Sequence, residues 1–265
     1  MFLFPTLLLG AVFWLIGLWW AKRTNGSFAQ WTGWVLVAVL ALPGFFYVAY
    51  YSGRLGEPIW LYNLRSIPGS ELLASLAGLV AGWIQVKAAP HLKLSATGRR
   101  ILVPGLLFFG LALPYLKPVL RPLSASELRA VWEDGVCMQS SASTCGPASA
   151  ATILRSLSKD VSEQELARES FSSGRGTENW YLARALRKRG LQVTFTRDGL
   201  ETVQLPAIAG VKLLAYGSGH FVAVLGREGD RYLIGDPLRG RFLSTRKELE
   251  EMYRFTGFFM LISGR

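Results

Sequence analysis

Gln139-Ser140-Ser141-Ala142-Ser143-Thr144-Cys145-Gly146-Pro147-Ala148 decides how this chain is read. The run from Ala148 to Leu157 is rich in alanine and leucine and predicts a helix, so Cys145 stands at a helix start. There, unpaired backbone N–H groups and the helix dipole favour a thiolate over a thiol. Gly146 admits the close approach of another backbone. Pro147 suits a first turn, where no N–H is needed. Taken alone, Cys145 is equally well read as an inert buried thiol, a common fate for cysteine.

Three more residues change that balance. His220 follows Gly217-Ser218-Gly219 and opens an apolar run, so its imidazole sits where it can take a proton from a thiol and return it to a leaving amine. Asp236-Pro237 ends the next run, and its carboxylate can hold an imidazole tautomer. A turn-forming Asp-Pro is an equally good local reading. Spacing alone does not bring His220 and Asp236 to one edge, because their runs pair as antiparallel neighbours and need an offset. Gln139, six residues before Cys145, carries an amide that can donate to a developing oxyanion. Cys137 is the only other cysteine, and it reads as a bystander. The two cysteines and two histidines match no zinc spacing, and neither a metal nor a cofactor is expected.

Around these residues the pattern shifts from helix to strand. Ser124–Val136 reads as a polar linker with helical character over 127–132. Ser162-Glu163-Gln164-Glu165 is a capping box opening a helix to Ser170. Thr177 is placed to cap a helix over Glu178–Arg189, ended by Gly190. Its Arg184, Arg187, Lys188 and Arg189 are expected on a solvated face. Strands are then predicted at Gln192–Thr196, Ala207–Tyr216, His220–Leu225, Arg231–Gly235, Arg241–Leu243 and Gly257–Ile262, with a short helix capped by Thr245. Helices followed by an antiparallel sheet make an α+β domain.

The first half of the chain is of another kind. Four apolar runs, about 2–20, 31–50, 71–86 and 101–116, are read as membrane spans, the third short, with Pro43-Gly44 as a kink in the second. Trp19, Trp20, Trp31, Tyr50 and Tyr51 sit near their ends, as interfacial aromatics do. No positive residue precedes the first run and no small-residue cleavage site follows it, so it is expected to stay in place. Residues 1–120 carry nine Lys/Arg against two Asp/Glu, and 121–265 carry twenty against sixteen. The net charge of +11 is therefore mostly loop charge beside spans and not a nucleic-acid footprint. The expected organisation is a membrane region over 1–120, a linker over 121–135 and a globular domain over 136–265. An uncharged N-terminus followed by Lys22-Arg23 places that loop inside, and four spans then leave the globular domain outside the cytoplasm.

The whole set resembles a known family. Gln139 and Cys145-Gly146-Pro147-Ala148, then Leu205-Pro206-Ala207-Ile208, His220-Phe221-Val222-Ala223-Val224 and Asp236-Pro237 with Gly240 look like family thirty-nine of the cysteine peptidases, the bacteriocin-processing, double-glycine leader peptidases. The similarity runs from about 136 to 262. It implies a papain-like fold, Cys145 as nucleophile, His220 as base, Asp236 as orienting carboxylate and Gln139 as oxyanion donor. It also implies that His220 and Asp236 share an edge. The partners it implies are a peptide or leader-peptide substrate, the bilayer and a separate exporter. Two departures stand out: Thr144 replaces the aspartate that commonly precedes the cysteine, and no GxxxxGK[ST] motif is present, so ATP use is not implied. Two other functions fit less of the pattern. One is a cell-wall endopeptidase of the same clan. The other is an inactive module that only binds leader peptides.

Overall fold

The computed structural model describes residues 2–50, 58–93, 95–124, 126, 128–129 and 131–264. The first half of the chain forms α1 (Leu3–Arg23), α2 (Ser27–Tyr50), α3 (Ile59–Arg65), α4 (Ala77–Lys87) and α5 (Ala96–Leu120). The chain divides into two compact units, one of residues 1–57 and 68–116 and one of residues 58–67 and 117–265.

In the first unit α1 and α4 touch backbone to backbone. A Cβ on Gly17 would lie 2.3 Å from the Leu79 carbonyl oxygen, and one on Gly82 would lie 2.2 Å from that of Trp14. Small residues at such contacts are how helices pack where no water drives them together. Trp14 Nε1 donates to Gln85 Oε1 at 2.9 Å, and buried Trp83 meets Trp20 edge to face. Pro43 lies inside a continuous α2. Among the described residues three helices are long and apolar enough to cross a membrane: Leu3–Arg23, Ser27–Tyr47 and Ala96–Leu113. The expected span over 71–86 is instead a 3-10 turn, Ser70–Leu76, running into α4. It reaches span length only as part of a bent pair with α3, which makes the count three or four. Tyr51 lies outside the described residues.

The second unit is α+β. A hairpin of β1 (Val131–Glu133) and β2 (Val136–Met138) turns at Asp134-Gly135, both with positive φ. It replaces the helical character expected over 127–132, of which 127 and 130 lie outside the described residues. Then come α6 (Cys145–Ser156), α7 (Glu163–Glu169) and α8 (Asn179–Lys188). Six strands follow: β3 (Gln192–Arg197), β4 (Ala207–Leu213), β5 (Gly219–Glu228), β6 (Arg231–Asp236), β7 (Gly240–Thr245) and β8 (Tyr253–Ser263). A short helix, α9 (Arg246–Met252), precedes β8. The strands form one antiparallel sheet in the order β3-β8-β4-β5-β6-β7. Both predicted capping boxes form, at Ser162 with Glu165 and at Thr245 with Glu248.

Strand alternation sorts the core into two faces. Ile208, Ala223 and Met260 pack under α6 and α8, whereas Ala207, Ala209, Val222, Val224 and Phe259 pack against Leu249 of α9 and its surroundings. The helical side depends on α6 being thin: Ala148, Ala150 and Ala151 are fully buried. A Cβ on Gly235 would lie 2.9 Å from the Thr152 methyl, so β6 approaches α6 as closely as a backbone can.

Two expectations for α8 are corrected. Glu178, not Thr177, occupies its N-cap position and makes no side-chain cap bond there. Its basic cluster is not a solvated face. Arg184 donates to the carbonyls of Arg65 and Ile67, and Arg187 to Ser66 O, Ser66 Oγ and Val193 O. Arg189 pairs with Glu169, and only Lys188 of the four is exposed. The guanidiniums of Arg184 and Arg187 thus hold the segment containing α3, which supplies part of the second unit's core. Tyr62 rings against Trp180, Phe195 and Phe258, the last at 5.1 Å. Asn63 bonds both backbone groups of Phe195, at 3.0 and 3.1 Å, closing part of the open edge of β3.

Candidate active site

Cys145 is the first residue of α6, as the alanine run predicts. The loop before it is tied to itself. Thr144 is fully buried; its hydroxyl accepts from Ser141 N at 3.1 Å and reaches Ser141 O at the same distance. Ser143 N donates to Ser141 Oγ at 3.2 Å. Thr144 thus closes the turn that presents the cysteine. Thr177 helps from outside, its hydroxyl donating to Ser143 O at 3.4 Å.

His220 and Asp236 meet because of register. Ala223 pairs with Gly235, so Asp236 on β6 lies diagonally across from His220 on β5, on the same face of the sheet. This is the offset that spacing left open. His220 Nε2 lies 2.8 Å from Asp236 Oδ1. The other ring nitrogen, Nδ1, is left for Cys145, which is close enough to help set the charge of the imidazole. Both partners are buried, Asp236 completely and His220 to within 5%.

A fully buried carboxylate needs every lone pair answered. Asp236 Oδ1 also accepts from Leu238 N at 2.9 Å, and Oδ2 accepts from the Tyr253 hydroxyl at 2.5 Å, with Arg239 Nε 3.9 Å away. Burial raises the Asp236 pKa, but these donors and the imidazolium outweigh it and hold the carboxyl below its ordinary range. Burial likewise opposes charge on His220. The hydrogen bonds and charges of Asp236 and Cys145 outweigh it and push the imidazole from 6.5 up to about 9. Tyr253 is shifted up by burial and by the carboxylate it serves, so it stays a donor.

Gln139 is held beside this group from several sides. Its N–H donates to the carbonyl of Pro237, next to Asp236, at 3.0 Å. Its Nε2 donates to Ser141 O at 2.8 Å, and its buried Oε1 has no hydrogen-bond partner among the described residues. An amide nitrogen carries two hydrogens, so one remains beyond the bond to Ser141. The adjacent Ser140 is anchored by Glu163, which is buried: Ser140 N donates to its Oε1 at 2.9 Å and Ser140 Oγ to its Oε2. Arg129 N donates to the same hydroxyl at 2.8 Å. Cys137 makes none of the hydrogen bonds that join His220, Asp236 and Tyr253. It is fully buried, and burial, with the charge of Glu163, pushes its thiol up to about 12. Among the described residues no group of three His, Cys, Asp or Glu could hold a metal.

Two partners of the site were not legible from local pattern. In the sequence Tyr253 falls where the short helix capped by Thr245 is expected to end, and Glu163 reads as an ordinary member of a capping box. The only clue to Glu163 is that it sits one place inside the helix end nearest, in sequence, to the Gln139 loop.

A family model for the peptidase C39 family matches residues 134–265, from the hairpin turn through the whole sheet. An uncharacterized protein of Methanothermobacter marburgensis is 31% identical over 126 residues, which is 47% of this chain and 85% of that protein. The chain belongs to the peptidase C39 family. A second uncharacterized protein, from Methanothermobacter thermautotrophicus, is 29% identical over 126 residues, again 47% of this chain and 85% of the relative. Among solved structures, the peptidase domain of Streptococcus ComA, a bifunctional ABC transporter of a quorum-sensing pathway, is 19% identical, with a TM-score of 0.43 over 49% of this chain and 98% of that one. A double-glycine-motif protease from an AMS/PCAT transporter, solved with its leader peptide, is 26% identical, with a TM-score of 0.43 over 55% and 99%. The C39 domain here is the helix-and-antiparallel-sheet, papain-like unit described above, and it follows apolar helices in the chain.

The bond from Tyr253 to Asp236 has a bearing on Cys145 that is testable without a substrate. Tyr253→Phe should slow alkylation of Cys145 by iodoacetamide at neutral pH about tenfold, in line with the loss of one hydrogen bond to a charged group. In an Asp236→Ala background the same change should cost nothing further. A loss that persists there would mean that Tyr253 matters only to packing.

Proposed function

We propose that this protein is a membrane-anchored cysteine endopeptidase that cleaves peptide or leader-peptide substrates. The observation that carries the reading is His220 bonded through Nε2 to a buried, fully answered Asp236, with Cys145 at a helix start near enough to act on the same imidazole. Membership of the C39 family supports the same chemistry. In this scheme the Cys145 thiolate attacks the substrate carbonyl carbon. The oxyanion is met by the backbone N–H at the start of α6 and by the second N–H of Gln139. Protonated His220 gives its proton to the leaving amine, and a water, deprotonated by the now neutral ring, hydrolyses the thioester. Asp236 holds the ring and stabilises imidazolium without taking its proton. The N-terminal helices are the anchor, and a separate exporter beside them is the partner that would receive the trimmed cargo.

The test uses a reporter fused behind a double-glycine leader. Cys145→Ala should abolish its cleavage, while Cys137→Ala leaves it intact. Gln139→Ala should lower kcat by about 10²–10³ with KM little changed, the loss typical of one oxyanion donor. Cleavage by the Cys145→Ala protein would overturn the assignment. Wild-type kcat in the Gln139→Ala protein would remove that residue from the scheme.

The pH dependence has a definite sign. If imidazolium is the working form, activity should fall on the alkaline side with an apparent midpoint near the about 9 to which His220 is pushed. Asp236→Asn should move that limb toward neutrality. The folded His220 binds its proton more tightly than the unfolded residue at 6.5 does. The pair's contribution to folding is therefore complete below 6.5 and is lost as the pH rises through about 9. An alkaline limb unmoved by Asp236→Asn, followed as kcat against pH, would count against the proposed roles.

We also place the peptidase domain outside the cytoplasm, from the uncharged N-terminus and Lys22-Arg23 after the first helix. Alkaline phosphatase fused after Arg265 should be active. A fluorescent protein that matures only in the cytoplasm, bright at that position, would invert the topology.

A further inference from the structure

Between α2, α4 and α5, wholly within the first unit, lies a cavity of about 320 Å³. Phe45 of α2, Ala77, Ala81 and Ile84 of α4 and Val103 and Leu107 of α5 are among the side chains that line it, and every lining residue is apolar or glycine. Such walls offer water no partners. Alanines at 41, 77 and 81 open the space where larger residues would have closed the helices on each other.

The same helix stripes lead to positive charge. On α4 the lining positions 77, 81 and 84 continue three residues later to Lys87, in the last turn. On α5, positions 103 and 107 are preceded on the same face by Arg100, in the first turns. The short 3-10 turn Ala89–His91 follows α4, so these two ends are joined by a brief connection, and Arg100 is exposed. Lys87 donates to Thr24 O at 2.7 Å, a neutral carbonyl. Sequence completes the picture. Residues 22–33 and 84–106 contain Lys22, Arg23, Lys87, Lys93, Arg99 and Arg100 and no Asp or Glu at all. This end of the bundle is cationic with no carboxylate in either segment.

An apolar slot whose mouth is cationic fits an amphiphile with an acyl chain and a negative head. We propose that the first unit binds an anionic phospholipid, one acyl chain in the slot between α2, α4 and α5 and its phosphate against Arg100 and Lys87. The proposal rests on the reading of these helices as membrane-embedded. A zwitterionic lipid fills the slot equally well but is not held by unbalanced charge, so preference for the anionic head is the distinguishing property.

The experiment uses the full-length protein, purified in detergent and supplied with dioleoyl phosphatidylglycerol or dioleoyl phosphatidylcholine. Native mass spectrometry counts the lipids retained. Wild-type protein should keep phosphatidylglycerol at least about fivefold better, the worth of roughly one basic side chain at a membrane surface. Arg100→Gln, at an exposed position, should reduce that preference. Ala81→Leu, which fills the slot, should reduce retention of both lipids. Equal retention of the two lipids by the wild type overturns the proposal, as does an unchanged preference in Arg100→Gln. So does a slot closed by a second copy, seen as a lipid-free dimer. Resistance of the protein to alkaline carbonate extraction is measured alongside. If carbonate releases it, the membrane reading itself has failed. If the protein resists extraction and shows no preference, only the lipid site has.

Discussion

Everything in the candidate site follows from the cost of burying one carboxylate. Asp236 is fully enclosed at the end of β6, and an enclosed charge persists only when its oxygens are answered. The answers come from His220 on the neighbouring strand, from the backbone of Leu238 and from the hydroxyl of Tyr253 at the start of β8. Three strands, β5, β6 and β8, are thereby required to converge. The imidazole cannot swing away without stranding the carboxylate, so its second nitrogen is fixed toward Cys145. The pull of the same carboxylate, with that of Cys145, carries the ring up to about 9, so the protonated form prevails at neutral pH.

The loop bearing Gln139 depends on a second buried carboxylate. Glu163 of α7 takes both donors of Ser140, and Ser140 also meets the backbone of Arg129. Pro237 O holds Gln139 N from the other side. The residue proposed to meet the oxyanion is thus braced between the Asp236 strand and α7. Burying a carboxylate is tolerable here because both its oxygens accept from the loop it braces. Thr144 closes the turn with its own hydroxyl, so a neutral side chain directly precedes Cys145.

How much of this the sequence disclosed can be judged residue by residue. The start of α6 at Cys145, both capping boxes and the helix-then-sheet order were legible, because each is written in local pattern. The pairing of His220 with Asp236 followed only from resemblance, since a diagonal register depends on strand pairing that no short window contains. Tyr253 was invisible for the same reason: its value comes from where β8 lies in the sheet. The α8 arginines misled because a basic helix face normally meets water, whereas here it meets the carbonyls of residues 65–67. The third apolar run looked like a span by composition, but its first part winds as a 3-10 turn.

The segment carrying Tyr62 and Asn63 has a consequence that concerns parity. Residues 58–67 and 117–265 form one compact unit. On the proposed membrane reading that unit keeps to one side of the bilayer, so residues 68–116 must return the chain to the side it left, by an even number of crossings. Under that reading α3 is committed to the compact unit and cannot lend its length to a span with Ser70–Lys87. A tyrosine ring against Phe258 then bears on how the apolar helices can be counted as spans.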